Sequence, residues 1–184
     1  MSPTAIHITG ASGSGVTTLG RALAARTGAV QLDTDDFYWM PVEPTYGVKR
    51  EIPERLRLLR EAFAAAGPRG WILSGSVGDW GEPLVPLFQL VVYVRAPTPV
   101  RLQRLRAREA AQFGADAISP GGPRHEEFEE FIAWAAEYES GTREGRSMPR
   151  HAAWLAKLSC PVLRLDGTEA PETNADRILA ALSS

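Results

Sequence analysis

Apolar residues in this chain come in short runs punctuated by glycine, proline and acids, and the runs alternate between strand-like and helix-like spacing. Ala5 to Thr9 (AIHIT) is a β-rich run ending in glycines; Thr17 to Arg26 then carries Leu19, Ala22 and Leu23 at helical spacing, with Gly28 as a stop signal. VQLDTDD, residues 30–36, predicts a second strand running into acids. EIPERLRLLREAFAAAG, residues 51–67, predicts a helix with Pro53 near its start and Gly67 at its end. GWILSGS (70–76) and QLVVYVRAP (89–97) predict a third and a fourth strand, the latter apolar enough to be covered on both faces. Thr98 and Pro99 open an arginine-rich helix. After the break SPGGP come a helix near Glu126 to Tyr138, with Phe128, Phe131, Ile132 and Ala135 on one side, and a shorter one around Trp154 and Leu158. CPVLRLDG (160–167) predicts a fifth strand and residues 172–182 a closing helix. Strands alternating with helices imply an α/β fold, a mostly parallel sheet and ligands at the carboxyl ends of the strands.

Composition narrows the partners. The 184 residues and 20.0 kDa fit one domain that buries roughly 70% of its unfolded surface. A net charge of −2 gives no overall attraction for a nucleic-acid backbone or an anionic membrane, so neither partner is expected and any anion site is local. Lys49 and Lys157 are the only lysines. The single cysteine, Cys160, excludes an intrachain disulfide and is expected to begin a buried strand. The first ten residues have neither a basic nor a long apolar region, which sets the expectation of a cytoplasmic protein, monomer or homodimer. His7, His125 and His151 lack ligand-like spacing and read as structural.

GASGSGVTT, residues 10–18, matches the phosphate-loop pattern G-x-x-x-x-G-K-[ST] with Val16 in the lysine position. Glycines there let successive N–H groups converge on one anion, and the following helix adds its positive end. The alternative is a glycine-rich turn that binds nothing; the register of Gly10, Gly13, Gly15 and Thr17 between strand and helix favours phosphate. Gly10, Ser12, Gly13, Ser14, Gly15, Val16, Thr17 and Thr18 are therefore candidate nucleotide contacts, with the Thr17 hydroxyl a candidate magnesium ligand.

Asp33, Asp35 and Asp36 follow the second strand. Strand alternation turns Asp33 and Asp35 to one side, toward the glycine loop, where a carboxylate can hold magnesium or accept a hydroxyl proton, and Asp36 to the other. Solvated turn-forming acids are the alternative. Phe37, Tyr38 and Trp39 line either an acceptor pocket or the core. Arg101, Arg104 and Arg108 share one helical face and Leu102 and Leu105 another, and Arg143 and Arg146 return from a later segment; together they suit the charge of a transferred phosphoryl group, although glutamates are available to pair with them. The third strand ends without the aspartate usual in energy-converting NTPases.

In this order the motifs resemble the nucleoside-monophosphate and shikimate-type P-loop kinases, and DTDDFYW is similar to the matching stretch of uridine and nicotinamide-riboside kinases. Arg146-Ser147 ahead of a Trp-Leu helix also resembles bacterial adenylate-kinase-like ATPases. The resemblance covers nearly the whole chain. It implies a three-layer fold with a five-stranded parallel sheet in the order 2-3-1-4-5, in one domain, 1–184, with a helical lid at about 109–148. It implies ATP phosphates at Gly10 to Thr18, magnesium at Thr17 and Asp33, the acceptor at Asp35, and adenine beside Asp166, Gly167 and Thr168. Arg104 and Arg108 match the paired arginines entering the lid. The function so implied is an ATP- and Mg2+-dependent phosphotransferase acting on a small molecule. Two alternatives stand beside it: a nucleotide-binding protein without turnover, which Val16 supports, and an ATP or GTP hydrolase, which the missing acid after the third strand disfavours. The absence of the Asp-Gly pair of adenylate kinases counts against adenylate kinase activity itself.

Overall fold

A computed structural model describes residues 3–43, 47–141 and 145–183, apart from the side chain of Asp79. Five strands, β1 (Ala5–Gly10), β2 (Val30–Asp33), β3 (Trp71–Ser74), β4 (Leu90–Arg95) and β5 (Val162–Asp166), form one parallel sheet in the order β2-β3-β1-β4-β5. That is the order the resemblance implied. The helices are α1 (Val16–Thr27), α2 (Thr34–Tyr38), α3 (Ile52–Ala66), α4 (Thr98–Phe113), α5 (Ala115–Ile118), α6 (His125–Ala136), α7 (Met148–Leu155) and α8 (Pro171–Leu182), with 3-10 turns at Gly67–Arg69 and Gly78–Leu87.

Alternation along each strand divides the core. Ile6, Ile8, Ile72, Val92 and Val94 pack against Leu19 and Leu23 of α1 and Ile178 of α8. Trp71, Leu73, Val91 and Tyr93 face the other way, onto Leu59 and Phe63 of α3 and Leu155 of α7. Leu105, Phe128, Ile132 and Ala135 form a third cluster that gives the α4–α6 excursion its own apolar base. Each fully buried side chain of this size contributes about 1.5–3 kcal/mol.

Four expectations need correction. The second strand stops at Asp33, because the Asp33 carboxylate accepts the Asp35 N–H at 3.1 Å and caps α2. Asp35 and Asp36 thus stand in the first turn of a helix, where its dipole favours acids, and strand alternation does not govern them. The short helix near Trp154 ends at Leu155, before Leu158, and β5 begins at Val162, so half-buried Cys160 precedes it. Arg101 leaves the exposed arginine face: it is 0% exposed.

His7 lies inside the sheet, stacked on Phe88 at 5.0 Å, with Nδ1 3.0 Å from the Leu73 carbonyl. Burial lowers its pKa from 6.5 to about 4. Between those values the unfolded chain takes up a proton that the folded chain refuses, so stability falls as pH drops through this window. Urea titrations should show a loss of about 3 kcal/mol from this group by pH 4. His7→Leu should flatten the pH dependence; an unchanged slope would refute the assignment.

Candidate functional site

β1 delivers the glycine loop to the centre of the sheet, where the order of strands reverses. Gly13 has φ 80° and Gly15 φ 99°, conformations that favour glycine. Space is equally restrictive: a Cβ at Gly13 would meet the Arg101 carbonyl oxygen at 2.5 Å, and one at Gly10 the Val94 carbonyl oxygen at 2.4 Å. Gly15 is the N-cap of α1, whose first N–H groups have no intrahelical acceptor. Ser14 is buried, and its hydroxyl has no partner among the described residues. Val16 borders the cleft and packs its half-buried side chain against the α1 side of the core.

Thr17, in the first turn of α1, donates to Asp33 Oδ2 at 2.9 Å, while Asp33 Oδ1 caps α2. Both oxygens of Asp33 are therefore oriented toward defined donors. Asp35 borders the cleft and is exposed to its water. Desolvation and then the Asp33 charge raise its pKa, opposed by Arg146 and Arg108. Desolvation and Asp33 also raise Asp36.

Four arginines close on the loop in different ways. Arg101 donates to the carbonyls of Ser12 and Ala135, both at 3.2 Å, and pairs with Glu139 at 2.7 Å. It ties loop, α4 and the end of α6 together. Arg104 reaches across to the Gly167 carbonyl at 2.9 Å. Arg108 pairs with Glu109 at 2.9 Å on the exposed rim. Arg146 donates to the Ser12 hydroxyl at 2.8 Å and lies 5.8 Å from the Trp134 ring centre. Burial lowers its pKa, against the pull of Asp35. Arg143 lies outside the described residues.

A cleft of about 1170 Å³ runs along these groups. Ser12 to Thr18, Asp33, Asp35, Arg104, Arg108, Arg146 and Gly167 border it; Gly10 and Thr168 do not, and the Thr168 hydroxyl turns back to Asp166 at 2.7 Å. Asp36 and Trp39 also border the cleft, whereas Phe37 packs into the core and Tyr38 lies under Arg55, 3.9 Å from its ring centre. Sequence reasoning missed the far wall of the cleft, Phe113, Arg124, Phe131 and Trp134, of which Phe131 reads from the sequence only as part of a helix's apolar side. It also missed the anchoring role of Arg101.

These features define a P-loop nucleotide-binding fold of the kinase type. The AAA-domain family profile matches residues 6–116, more than half of the chain, and the chain belongs to that family. It is 42% identical over 179 residues to the Bacillus subtilis (strain 168) protein "Uncharacterized protein YqaC", covering 97% of both. Among solved structures it is similar to shikimate kinase from Bacteroides thetaiotaomicron (17% identity, TM-score 0.56, 98% of this chain and 99% of that one). A sugar kinase from Janibacter sp. has 20% identity and a TM-score of 0.53 over 98% of this chain and 95% of that one. At such identities the likeness concerns the fold.

Proposed function

We propose that the protein is a magnesium-dependent phosphotransferase that moves the γ-phosphate of ATP to a small-molecule hydroxyl or phosphate. The observation that carries this reading is the Thr17–Asp33 hydrogen bond of 2.9 Å at the head of the glycine loop, with Asp35 and Arg146 beside it. A hydroxyl and a carboxylate suit magnesium, which keeps waters and shares phosphate oxygens instead of requiring a full protein cage. Among the described residues no three His, Cys, Asp or Glu side chains form such a cage. Thr17 and Asp33 would hold the ion, which when bound offsets phosphate charge.

The loop from Ser12 to Thr18 receives the triphosphate on its backbone N–H groups, with Gly167 on the adenine side. As an acceptor hydroxyl attacks the γ-phosphorus, the bond to the bridging oxygen breaks and ADP departs. Asp35 takes the hydroxyl proton, and its raised pKa strengthens it as a base. Arg104, Arg108, Arg143 and Arg146 supply the positive charge that Val16 does not. In this reading residues 109–148 are a lid in a single domain, and the protein is a cytoplasmic monomer or homodimer with no nucleic-acid or membrane partner.

Val16 favours a second reading, nucleotide binding without turnover. Labelled ATP with magnesium and a pooled metabolite mixture separates them: label in an organic product supports transfer, label only in inorganic phosphate indicates a hydrolase, and bound but intact ATP indicates a non-catalytic protein. Val16→Lys tests the loop itself. A lysine reaching the β and γ phosphates should add about 1.5–3 kcal/mol, tightening ATP by one to two powers of ten and AMP much less. An unchanged ratio of ATP to AMP affinity in calorimetry would mean that residue 16 does not face phosphate.

A further inference from the structure

A second cavity, of about 460 Å³, opens on the other side of the β4–β5 edge, and Ala11 of the glycine loop borders both it and the nucleotide cleft. That volume accommodates a small metabolite. Its floor follows from strand register. Tyr93 pairs with Arg164 and Arg95 with Asp166, so the two arginines lie on adjacent strands on the face that carries Tyr93. Tyr138 and Met148 close the opposite wall.

The charges here are unevenly matched. Glu139, at the rim, is already bonded to Arg101 and to the Thr98 hydroxyl, at 2.7 and 2.6 Å. Asp166 accepts the Thr168 N–H and hydroxyl at 2.8 and 2.7 Å, and these bonds keep its pKa low, with help from Arg177 and Arg104. Among the described residues Arg95 has only the Met148 sulfur, at 3.7 Å, and neither Arg95 nor Arg164 has a carboxylate within ion-pair distance. Two exposed guanidinium groups thus flank an aromatic floor, and no carboxylate of the described residues is assigned to them.

The floor is also wired to the loop. Tyr93, Tyr138 and His151 form a buried hydrogen-bonded chain of 2.8 and 2.6 Å. Arg101 lies 5.3 Å from the Tyr138 ring centre and holds the Ser12 carbonyl of the loop. A ligand pressing on Tyr138 therefore acts on the residue that shapes the phosphate hollow.

We propose that this cavity binds a small metabolite carrying a phosphate or carboxylate on a compact apolar body, and that its occupancy is transmitted through Tyr138 and Arg101 to the glycine loop. Arg95 and Arg164 take the anionic group, and Tyr93 and Met148 take the apolar body.

Phenyl phosphate and benzoate, titrated separately into 15N-labelled protein without nucleotide, test this by amide chemical shifts. The expected result is saturable shifts at Tyr93, Arg95, Tyr138 and Arg164, extending to Ala11 and Ser12. The double variant Arg95→Gln/Arg164→Gln, which alters only exposed side chains and whose spectrum reports its folding, should weaken that binding about tenfold or more. Tighter phenyl phosphate identifies phosphate as the preferred group, and tighter benzoate a carboxylate. Shifts confined to residues 10–18, or insensitive to the double variant, would overturn the proposal, as would no shift at Arg95 and Arg164 up to about 10 mM. None of these outcomes depends on whether ATP is turned over.

Discussion

Gly13→Ala should abolish triphosphate binding, with affinity falling at least about hundredfold, and should cost roughly 2–4 kcal/mol of stability. Two effects add at this position. The backbone has φ 80°, and the new methyl would meet the Arg101 backbone oxygen at 2.5 Å and its Cα at 3.0 Å. Backbone atoms of a packed helix cannot swing aside as a side-chain end can. Gly15→Ala is the control: φ is 99°, but the nearest atom is the flexible Arg104 Nη1 at 3.7 Å. Its cost should be only about 1–2 kcal/mol, with a folded loop that still binds. Urea unfolding and calorimetric titration of both variants decide the matter; a more harmful Gly15→Ala would mean that contact with α4 does not shape the loop.

Asp35→Asn should lower phosphoryl transfer to a hydroxyl acceptor by about 10²–10⁴-fold and leave ATP affinity nearly unchanged. An amide keeps the shape but accepts no proton. The same change should raise the thermal midpoint at neutral pH. Desolvation and Asp33 raise the folded pKa of Asp35 above its ordinary 3.8, so the folded chain holds this proton more tightly than the unfolded one. Stability from this group therefore falls as pH rises from about 3.8 through the folded value, and Asn removes that loss. Wild-type transfer should correspondingly rise with pH on a limb above the ordinary carboxylate range. Undiminished turnover, or a midpoint gain that persists at pH below 3.8, would contradict the role of Asp35.

The periodic pattern marked all five strands and most helices because each is amphipathic or wholly apolar over its length. It did not mark α2, whose start is decided by a side-chain cap at Asp33 inside what reads as a continuing strand. Within the site, the glycine loop follows from local spacing at the β1–α1 turn, whereas the Thr17–Asp33 contact joins α1 to β2 across 16 positions and has no local signal. The roles of the arginines do not follow from local spacing. A helical projection sorts Arg101 with Arg104 and Arg108, yet its burial is decided by carbonyls at Ser12 and Ala135, far away in sequence. The approach of Arg146 to Ser12, across 134 positions, has no local signal either. Charge type was legible; which charges are anchors and which border the cleft was set by tertiary contacts.

Calorimetric titration of ATP into the wild-type chain with magnesium tests most directly whether the loop holds a triphosphate without a lysine. The predicted result is one site per chain, weaker for AMP than for ATP because AMP lacks the β and γ phosphates, and lost in Gly13→Ala. Absence of binding by ATP, ADP, GTP and GDP alike, with the protein folded, would contradict it.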